Sequence, residues 1–269
     1  MHHPRKRFGQ HFLHDPGIIE RIVAAVDPKP SDRMVEIGPG LGAITLPLLK
    51  RVDELFALEI DRDAIRHLRA TAPLHGTLHI HEADVLDFEL ASLRNDARRL
   101  RVVGNLPYNI STPLLFRLIE QREEIQDLHV MLQKEVVQRM AAAPGSAHYG
   151  RLTVMLAPWL QVEPLFEIGA GAFRPPPRVI SSFVRLTPCG QPAVPMEFPR
   201  QYAAVVAAAF SQRRKTLRNA LKALLTESEI ANASVSPSAR AETVAPHGYA
   251  ALAAQLADKQ KQKRLADGG

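Results

Sequence analysis

The segment Gly104-Asn105-Leu106-Pro107-Tyr108-Asn109-Ile110-Ser111 holds the groups best suited to chemistry in this chain. An exocyclic amine on an aromatic base, adenine N6 for example, is a weak nucleophile because its lone pair is delocalised into the ring. The Asn105 side-chain oxygen and the Leu106 backbone carbonyl are two acceptors that can take the hydrogens of such an amine. Their pull favours a pyramidal nitrogen with its lone pair aimed at an electrophile. Pro107 fixes the turn, and Tyr108 offers a ring on which a base can stack. The plainer use of the same residues is a strand-terminal turn with its aromatic packed inward.

A second set lies upstream. Val35-Glu36-Ile37-Gly38-Pro39-Gly40-Leu41-Gly42 ends a strand and opens a helix with G-x-G-x-G spacing, not the G-x-G-x-x-G of pyrophosphate-binding loops. Glu36 stands two residues before the first glycine. A carboxylate there would repel a pyrophosphate but suits a cationic ligand. S-adenosylmethionine carries both a sulfonium and an ammonium. Glu59, twenty-one residues after Gly38, closes the next strand, where an acid accepts from ribose hydroxyls. Asp84 follows the third strand and can accept from an adenine amine. Any one of these acids could equally be a helix cap or a solvated charge. Three at successive strand ends beside one glycine loop point to an adenosyl ligand held by Glu36, Gly38, Gly40, Glu59 and Asp84, with Asn105 next to it.

The elements that must position these residues follow from periodicity. Short apolar runs at Met34–Ile37, Leu55–Ile60, Leu78–Ile80, Arg101–Asn105 and His129–Leu132 read as strands. Helical patterns at Ala43–Arg51, Arg62–Ala70, Ser111–Gln121 and Lys134–Ala142 alternate with them, Ser111 serving as a cap. This alternation predicts an α/β fold with a mostly parallel, doubly wound sheet. Pro164–Ile168 and Ile180–Leu186 read as late strands around the loop Arg174-Pro175-Pro176-Pro177-Arg178. Prolines from Pro188 to Pro195 mark a linker, so one domain is expected over 1–190 and a small all-α domain over 191–269, with helices at Gln201–Leu225 and Gly248–Lys263.

Composition narrows the function. With 46% hydrophobic and 23% charged residues, the 269-residue chain is globular, neither disordered nor collagen-like. No run approaches the roughly 20 apolar residues of a membrane span. The basic start is followed by Phe8-Gly9-Gln10-His11, not an apolar stretch, so no signal peptide is expected and the protein is expected in the cytoplasm. A lone Cys189 and scattered histidines predict no metal site. The net charge of +6 sits entirely in Phe198–Gly269, which holds eleven cations and five acids; the first 197 residues are balanced. Gln212–Lys222 carries five cations and no acid on an expected helix, with Leu217, Leu221 and Leu224 on its packed side. Such asymmetry fits a polyanionic partner, most simply nucleic acid; a solubilising tail is the alternative.

The motifs together resemble one family, the ribosomal RNA adenine N6,N6-dimethyltransferases, and most of all its bacterial small-subunit type. The likeness runs from about Arg5 to Leu225. It rests on Arg7–Leu13, the Glu36–Gly42 loop, Asn105–Ser111, Met131–Val137, Tyr149–Leu152, Phe173–Val179 and Phe210–Asn219. It implies a Rossmann-like S-adenosylmethionine-dependent methyltransferase domain and a helical RNA-engaging domain. The implied reaction is dimethylation of N6 on adjacent adenosines near the 3′ end of 16S ribosomal RNA, within a pre-assembled particle, by a monomer. By the same likeness His11 and Leu13 touch the cofactor, Gly38 holds its methionine moiety, Glu59 the ribose and Asp84 the adenine. Phe173 is to sandwich the target adenine against Tyr108. Family members often carry Asn where this chain has His11. RNA contacts are expected from Arg5, Lys6, Arg7, Arg174, Arg178, Arg213, Arg214, Lys215, Arg218 and Lys222. Two other functions share these motifs: an assembly factor that has no need of catalysis, and a large-subunit methyltransferase that confers antibiotic resistance.

Overall fold

The structure, a computed structural model, describes residues 11–212 and 214–267. Arg5, Lys6, Arg7 and Arg213 lie outside the described residues. The chain forms two compact units, Met1–Val137 with Gln161–Pro188, and Gln138–Leu160 with Cys189–Gly269.

The first unit begins with β1 (Phe12–Leu13) and α1 (Pro16–Val26), whose start is capped by the Asp15 carboxylate accepting from the Ile18 N–H. β2 (Arg33–Ile37), α2 (Thr45–Leu49), β3 (Glu54–Glu59), α3 (Arg62–Thr71) and β4 (Thr77–Glu82) follow. Then come β5 (Leu100–Asn105), α4 (Ser111–Glu120), β6 (Ile125–Gln133) and α5 (Lys134–Met140). After α6 (Arg151–Leu156), the strands β7 (Leu160–Ile168), β8 (Phe173–Arg174) and β9 (Ser181–Pro188) complete the strand set. Seven strands form one sheet in the order β4-β3-β2-β5-β6-β9-β7. β4 through β6 run parallel, and β9 is antiparallel to β6. β2 is buried along its whole length, as a central parallel strand covered on both faces must be. The doubly wound α/β sheet expected from the alternation is therefore present.

The chain winds outward from β2 to β4, then returns to place β5 on the other side of β2. That reversal is a topological switch point, and the crevice beyond the carboxyl ends of β2 and β5 is where such sheets bind ligands. β1 and β8 add a separate two-stranded sheet, pairing Phe12 with Arg174 and Leu13 with Phe173. Two-residue strands have no periodicity to betray them, so neither is visible in the sequence. Ser111 is not the cap of α4. Ile110 takes that position, and the Ser111 hydroxyl donates to the Tyr108 carbonyl at 3.2 Å.

The second unit corrects two expectations. Its boundary does not fall once, near residue 190, because Gln138–Leu160 belongs to it as well. Tyr149 and Val154 are buried among Tyr202, Val205, Leu217 and Tyr249. The Tyr202 hydroxyl donates to the Val154 carbonyl at 2.8 Å, and the Tyr149 hydroxyl to the Val244 carbonyl at 2.7 Å. The helix expected over Gln201–Leu225 is broken into α7 (Pro199–Ala209) and the single turn α8 (Leu217–Ala220). Between them Thr216 bridges Arg240, and the Leu217 N–H donates to the Ala239 carbonyl. The break lets Leu217, Leu221 and Leu225 all become buried, with Leu224 only partly so. The unit ends with α9 (Glu227–Asn232) and α10 (Pro246–Asp267).

Candidate active site

Where β2 ends, Gly38 adopts φ +68°, a left-handed conformation that side-chain-bearing residues avoid. β5 pairs Gly104 with Ile37 beside it. A Cβ on Gly104 would lie 2.6 Å from the Ile37 carbonyl oxygen, so only glycine permits this approach. The two strands thus bring the glycine loop and Asn105 side by side.

A cavity of about 310 Å³ opens there, within the range of small-molecule sites. Glu36, Gly38 and Gly40 line it from β2 and its loop, Glu59 from β3, Asp84 from beyond β4, and Asn105 to Tyr108 from beyond β5. His11 and Leu13 close it from the N-terminal side. The fold gathers these groups from five separate segments of the chain.

The three acids differ in state. Glu36 is buried, and its Oε2 has no hydrogen-bond partner among the described residues. Burial, with a smaller push from the Glu59 charge, raises its carboxyl to about 8. Glu59 is also buried, which raises its pKa. Three backbone donors oppose that rise: Ile60 and Asp61 N–H at 2.9 Å on Oε1, and Gly40 N–H at 3.1 Å on Oε2. Asp84 is exposed, with Oδ1 accepting from the Leu86 N–H at 2.9 Å.

Asn105 is oriented by its neighbours. Its Nδ2 donates to the His11 carbonyl at 3.0 Å. A carbonyl can only accept, so the amide nitrogen must face His11 and the amide oxygen is the end left for a ligand. Leu106 is held by its N–H on the Met131 carbonyl at 3.3 Å. Tyr108 is half-buried, its hydroxyl hydrogen-bonded to Ser181 on β9. Burial raises the phenol's pKa against that bond, so the ring is a neutral platform at ordinary pH.

Phe173 does not meet the expectation placed on it. It is 1% exposed, pairs with Leu13 across β1 and β8, and belongs to the hydrophobic core. Its side chain is not on the wall of the cavity that Tyr108 lines. The ring that does face Tyr108 is His11, with centroids 5.9 Å apart and planes 30° from parallel.

Arg174 and Arg178 are exposed. Arg174 shares the wall of a second, broader hollow of about 1330 Å³ with Lys50 and Arg51. In the second unit Arg214, Lys215, Arg218 and Lys222 are exposed. Arg218 lies 3.7 Å from Glu227; no ion pair holds the other three among the described residues. Among those residues no cluster of three or more His, Cys, Asp or Glu could hold a metal, and no helix is long and apolar enough to cross a membrane. Sequence reasoning misses Ser181, Lys50 and Arg51. Ser181 is 73 residues from its partner Tyr108 and is joined to it only through the β6–β9 pairing.

Comparison with known proteins matches residues 1–258 to the family described as ribosomal RNA adenine dimethylase. The protein named Ribosomal RNA small subunit methyltransferase A in Methylococcus capsulatus is 53% identical over 257 residues, covering 95% of this chain and 98% of its own. The protein of the same name in Pseudomonas aeruginosa is 49% identical, covering 96% of each. Among solved structures, a dimethyladenosine transferase from Plasmodium falciparum superposes with a TM-score of 0.75 at 25% identity, over 93% of this chain and 98% of that one. The 23S rRNA methyltransferase ErmE gives 0.71 at 25% identity, over 91% and 99%.

Proposed function

We propose, of a chain that belongs to the ribosomal RNA adenine dimethylase family, that it transfers methyl groups from S-adenosylmethionine to N6 of adjacent adenosines near the 3′ end of small-subunit (16S) ribosomal RNA. The observation that carries this is Asn105, its amide nitrogen tied to the His11 carbonyl and its oxygen left as an acceptor beside the glycine loop.

The cavity fits the cofactor. A buried carboxyl oxygen without a partner among the described residues, Glu36 Oε2, suits a donor or a positive charge. Gly38 and Gly40 admit the methionine moiety, Glu59 receives the ribose hydroxyls, and Asp84 the adenine amine. Leu13 and the main chain of His11 cover the near side. When bound, S-adenosylmethionine supplies an electrophilic methyl group. The protein's own groups prepare the nucleophile: Asn105 Oδ1 and the Leu106 carbonyl accept from the target amine, Pro107 holds the turn, and Tyr108 supports the base. These acceptors matter most as the nitrogen becomes pyramidal, so they stabilise the transition state more than the bound substrate. The target adenine leaves its stack to reach them.

Arg174 and Arg178 in the first unit, and Arg213, Arg214, Lys215, Arg218 and Lys222 in the second, hold RNA phosphates, joined by Arg5, Lys6 and Arg7. Such contacts position RNA without reading its sequence. We further propose that methylation takes place on a pre-assembled ribosomal particle in the cytoplasm, by a monomer. Chemistry belongs to residues 1–190 apart from Gln138–Leu160, and RNA engagement largely to the helical remainder. The relatives at about 50% identity carry the small-subunit name whereas the large-subunit enzyme stands at 25%, which favours the small subunit. The complete set of acids with Asn105 favours an enzyme over an assembly factor alone.

The test is methylation of small-subunit particles that lack the modification, with mass mapping of the RNA. Two methyls on each of two neighbouring adenosines are expected, with Asn105→Ala lowering turnover far more than RNA binding. Methylation of large-subunit RNA instead, or of none, would overturn the proposal.

A further inference from the structure

We propose that Val179 and Ile180 form an apolar wedge that packs against the bases beside the target adenosine, taking up the space it leaves in the stack. The proposal rests on the methyltransferase function above and adds to it a pair of substrate-positioning residues, neither of which lines the cofactor cavity.

Val179 and Ile180 are 43% and 46% exposed, the only adjacent pair of large aliphatic side chains so placed among the described residues. A scattered exposed aliphatic residue needs no explanation, but this pair is held out on an anchored loop. The Pro175 carbonyl oxygen lies 2.8 Å from His11 Nδ1, Pro177 is buried, and the Ile180 carbonyl accepts from the Lys134 N–H at 2.9 Å. Three successive prolines, Pro175 to Pro177, restrict the backbone further. Little conformational freedom is therefore lost when a partner covers the pair.

Position and charge identify that partner. Ser181, the next residue, meets the Tyr108 hydroxyl, which ties the pair to the place where the target amine arrives. The same loop carries Arg174 and Arg178, both exposed and without an ion-pair partner among the described residues. Aliphatic side chains between free cations match a nucleic-acid strand, which presents base faces between phosphates. An adenine drawn out of its stack leaves its neighbours without a stacking partner. Proteins that open a stack insert aliphatic side chains at such a gap, and Val179 and Ile180 supply them here.

The test uses the full-length protein and unmethylated small-subunit particles. Val and Ile side chains about half exposed gain about half of their full burial energy when covered. Val179→Ser combined with Ile180→Ser should therefore lower kcat/KM for the particle by about 10- to 100-fold. Both positions are exposed, so thermal melting should match wild type. Affinity for S-adenosylmethionine by calorimetry should stay within about twofold, and the salt slope of particle binding should be kept, since no phosphate contact is lost. Val179→Leu combined with Ile180→Leu retains an apolar surface and should recover most of the loss. A further arm removes the partner instead. An abasic nucleotide is placed beside the target adenosines, first on the 5′ side and then on the 3′ side. On one of these two particles the serine variant and wild type should differ by no more than about threefold.

Unchanged kcat/KM in the serine variant would overturn the wedge and leave the proposed function standing. A flattened salt slope would make the loop a phosphate contact and overturn it too. An undiminished difference on both abasic particles would put something other than the neighbouring bases, a ribosomal protein for example, on the pair, with the same result. No methylation by wild type would instead defeat the function on which the proposal rests.

Discussion

Glu36→Gln turns a buried carboxyl, one of whose oxygens has no partner among the described residues, into a neutral amide of the same shape, and the two proteins should differ in how stability depends on pH. The Glu36 carboxyl is raised from 4.5 to about 8 by burial. Below pH 4.5 it is protonated both folded and unfolded and costs nothing. Between pH 4.5 and about 8 the unfolded chain ionises while the folded one retains its proton. Stability from this residue is therefore full at low pH and falls as pH rises through the window, flattening above about 8. The slope is up to ~1.4 kcal/mol per pH unit, and the whole window amounts to ~4–5 kcal/mol. Urea denaturation of cofactor-free protein at pH 5, 6, 7 and 8 should show the variant overtaking wild type by several kcal/mol. Parallel curves across that range would refute the buried, protonated state. Calorimetry adds a second arm. If a cationic group of S-adenosylmethionine settles near Glu36, binding at pH 7 releases a proton, and the measured heat differs between phosphate and Tris buffers. That difference should vanish in Glu36→Gln.

Glu59→Ala should weaken S-adenosylmethionine binding by roughly 1.5–3 kcal/mol through loss of charge-assisted hydrogen bonds; unaltered affinity in a folded variant removes Glu59 from the site. Gly104→Ala puts a methyl 2.6 Å from the Ile37 carbonyl and must spread β2 from β5. Because a shift of ~1 Å can cost ~100-fold in rate, kcat should fall by about that much, and wild-type turnover would show the strands can yield. Neutralising Arg213, Arg214 and Lys215 should flatten the salt dependence of RNA binding by ~0.7–0.9 log units per lost phosphate contact, with cofactor affinity intact. Parallel salt slopes would make the cluster a solubilising face.

Much of the first unit is legible in the chain because its strands and helices obey simple periods, and because chemistry-bearing residues fall at strand ends. Glu36, Glu59, Asp84 and Asn105 are each found by position relative to an apolar run, and the parallel sheet then has to assemble them. The failures have physical causes. Phe173 follows an expectation based on motif, but β1 and β8 bury it, and nothing local announces a sheet of two residues per strand. The His11 ring is visible only once the fold brings residue 11 beside residue 108. The Gln201–Leu225 stretch has helical composition throughout. Yet burying three leucines and bridging Thr216 to Arg240 outweighs one more uninterrupted turn, a tertiary override of propensity.

The course of the backbone between the two units has a consequence for how the protein can be made or divided. The chain crosses from one unit to the other three times, at 137/138, 160/161 and 188/189. A fragment stopped near residue 190 keeps Tyr149 and Val154 but loses Val244, Tyr202 and Tyr249, the groups that bury and satisfy them. The complementary piece begins with an equally open core. Neither can be excised as a self-sufficient module. During synthesis the strands of the parallel sheet leave the ribosome early, while Tyr149 waits for a carbonyl almost a hundred residues downstream. The helical unit therefore closes only after Val244 and Tyr249 have been made, and a chain cut short between Tyr149 and Val244 displays an aromatic, unsatisfied surface to the cell's quality control.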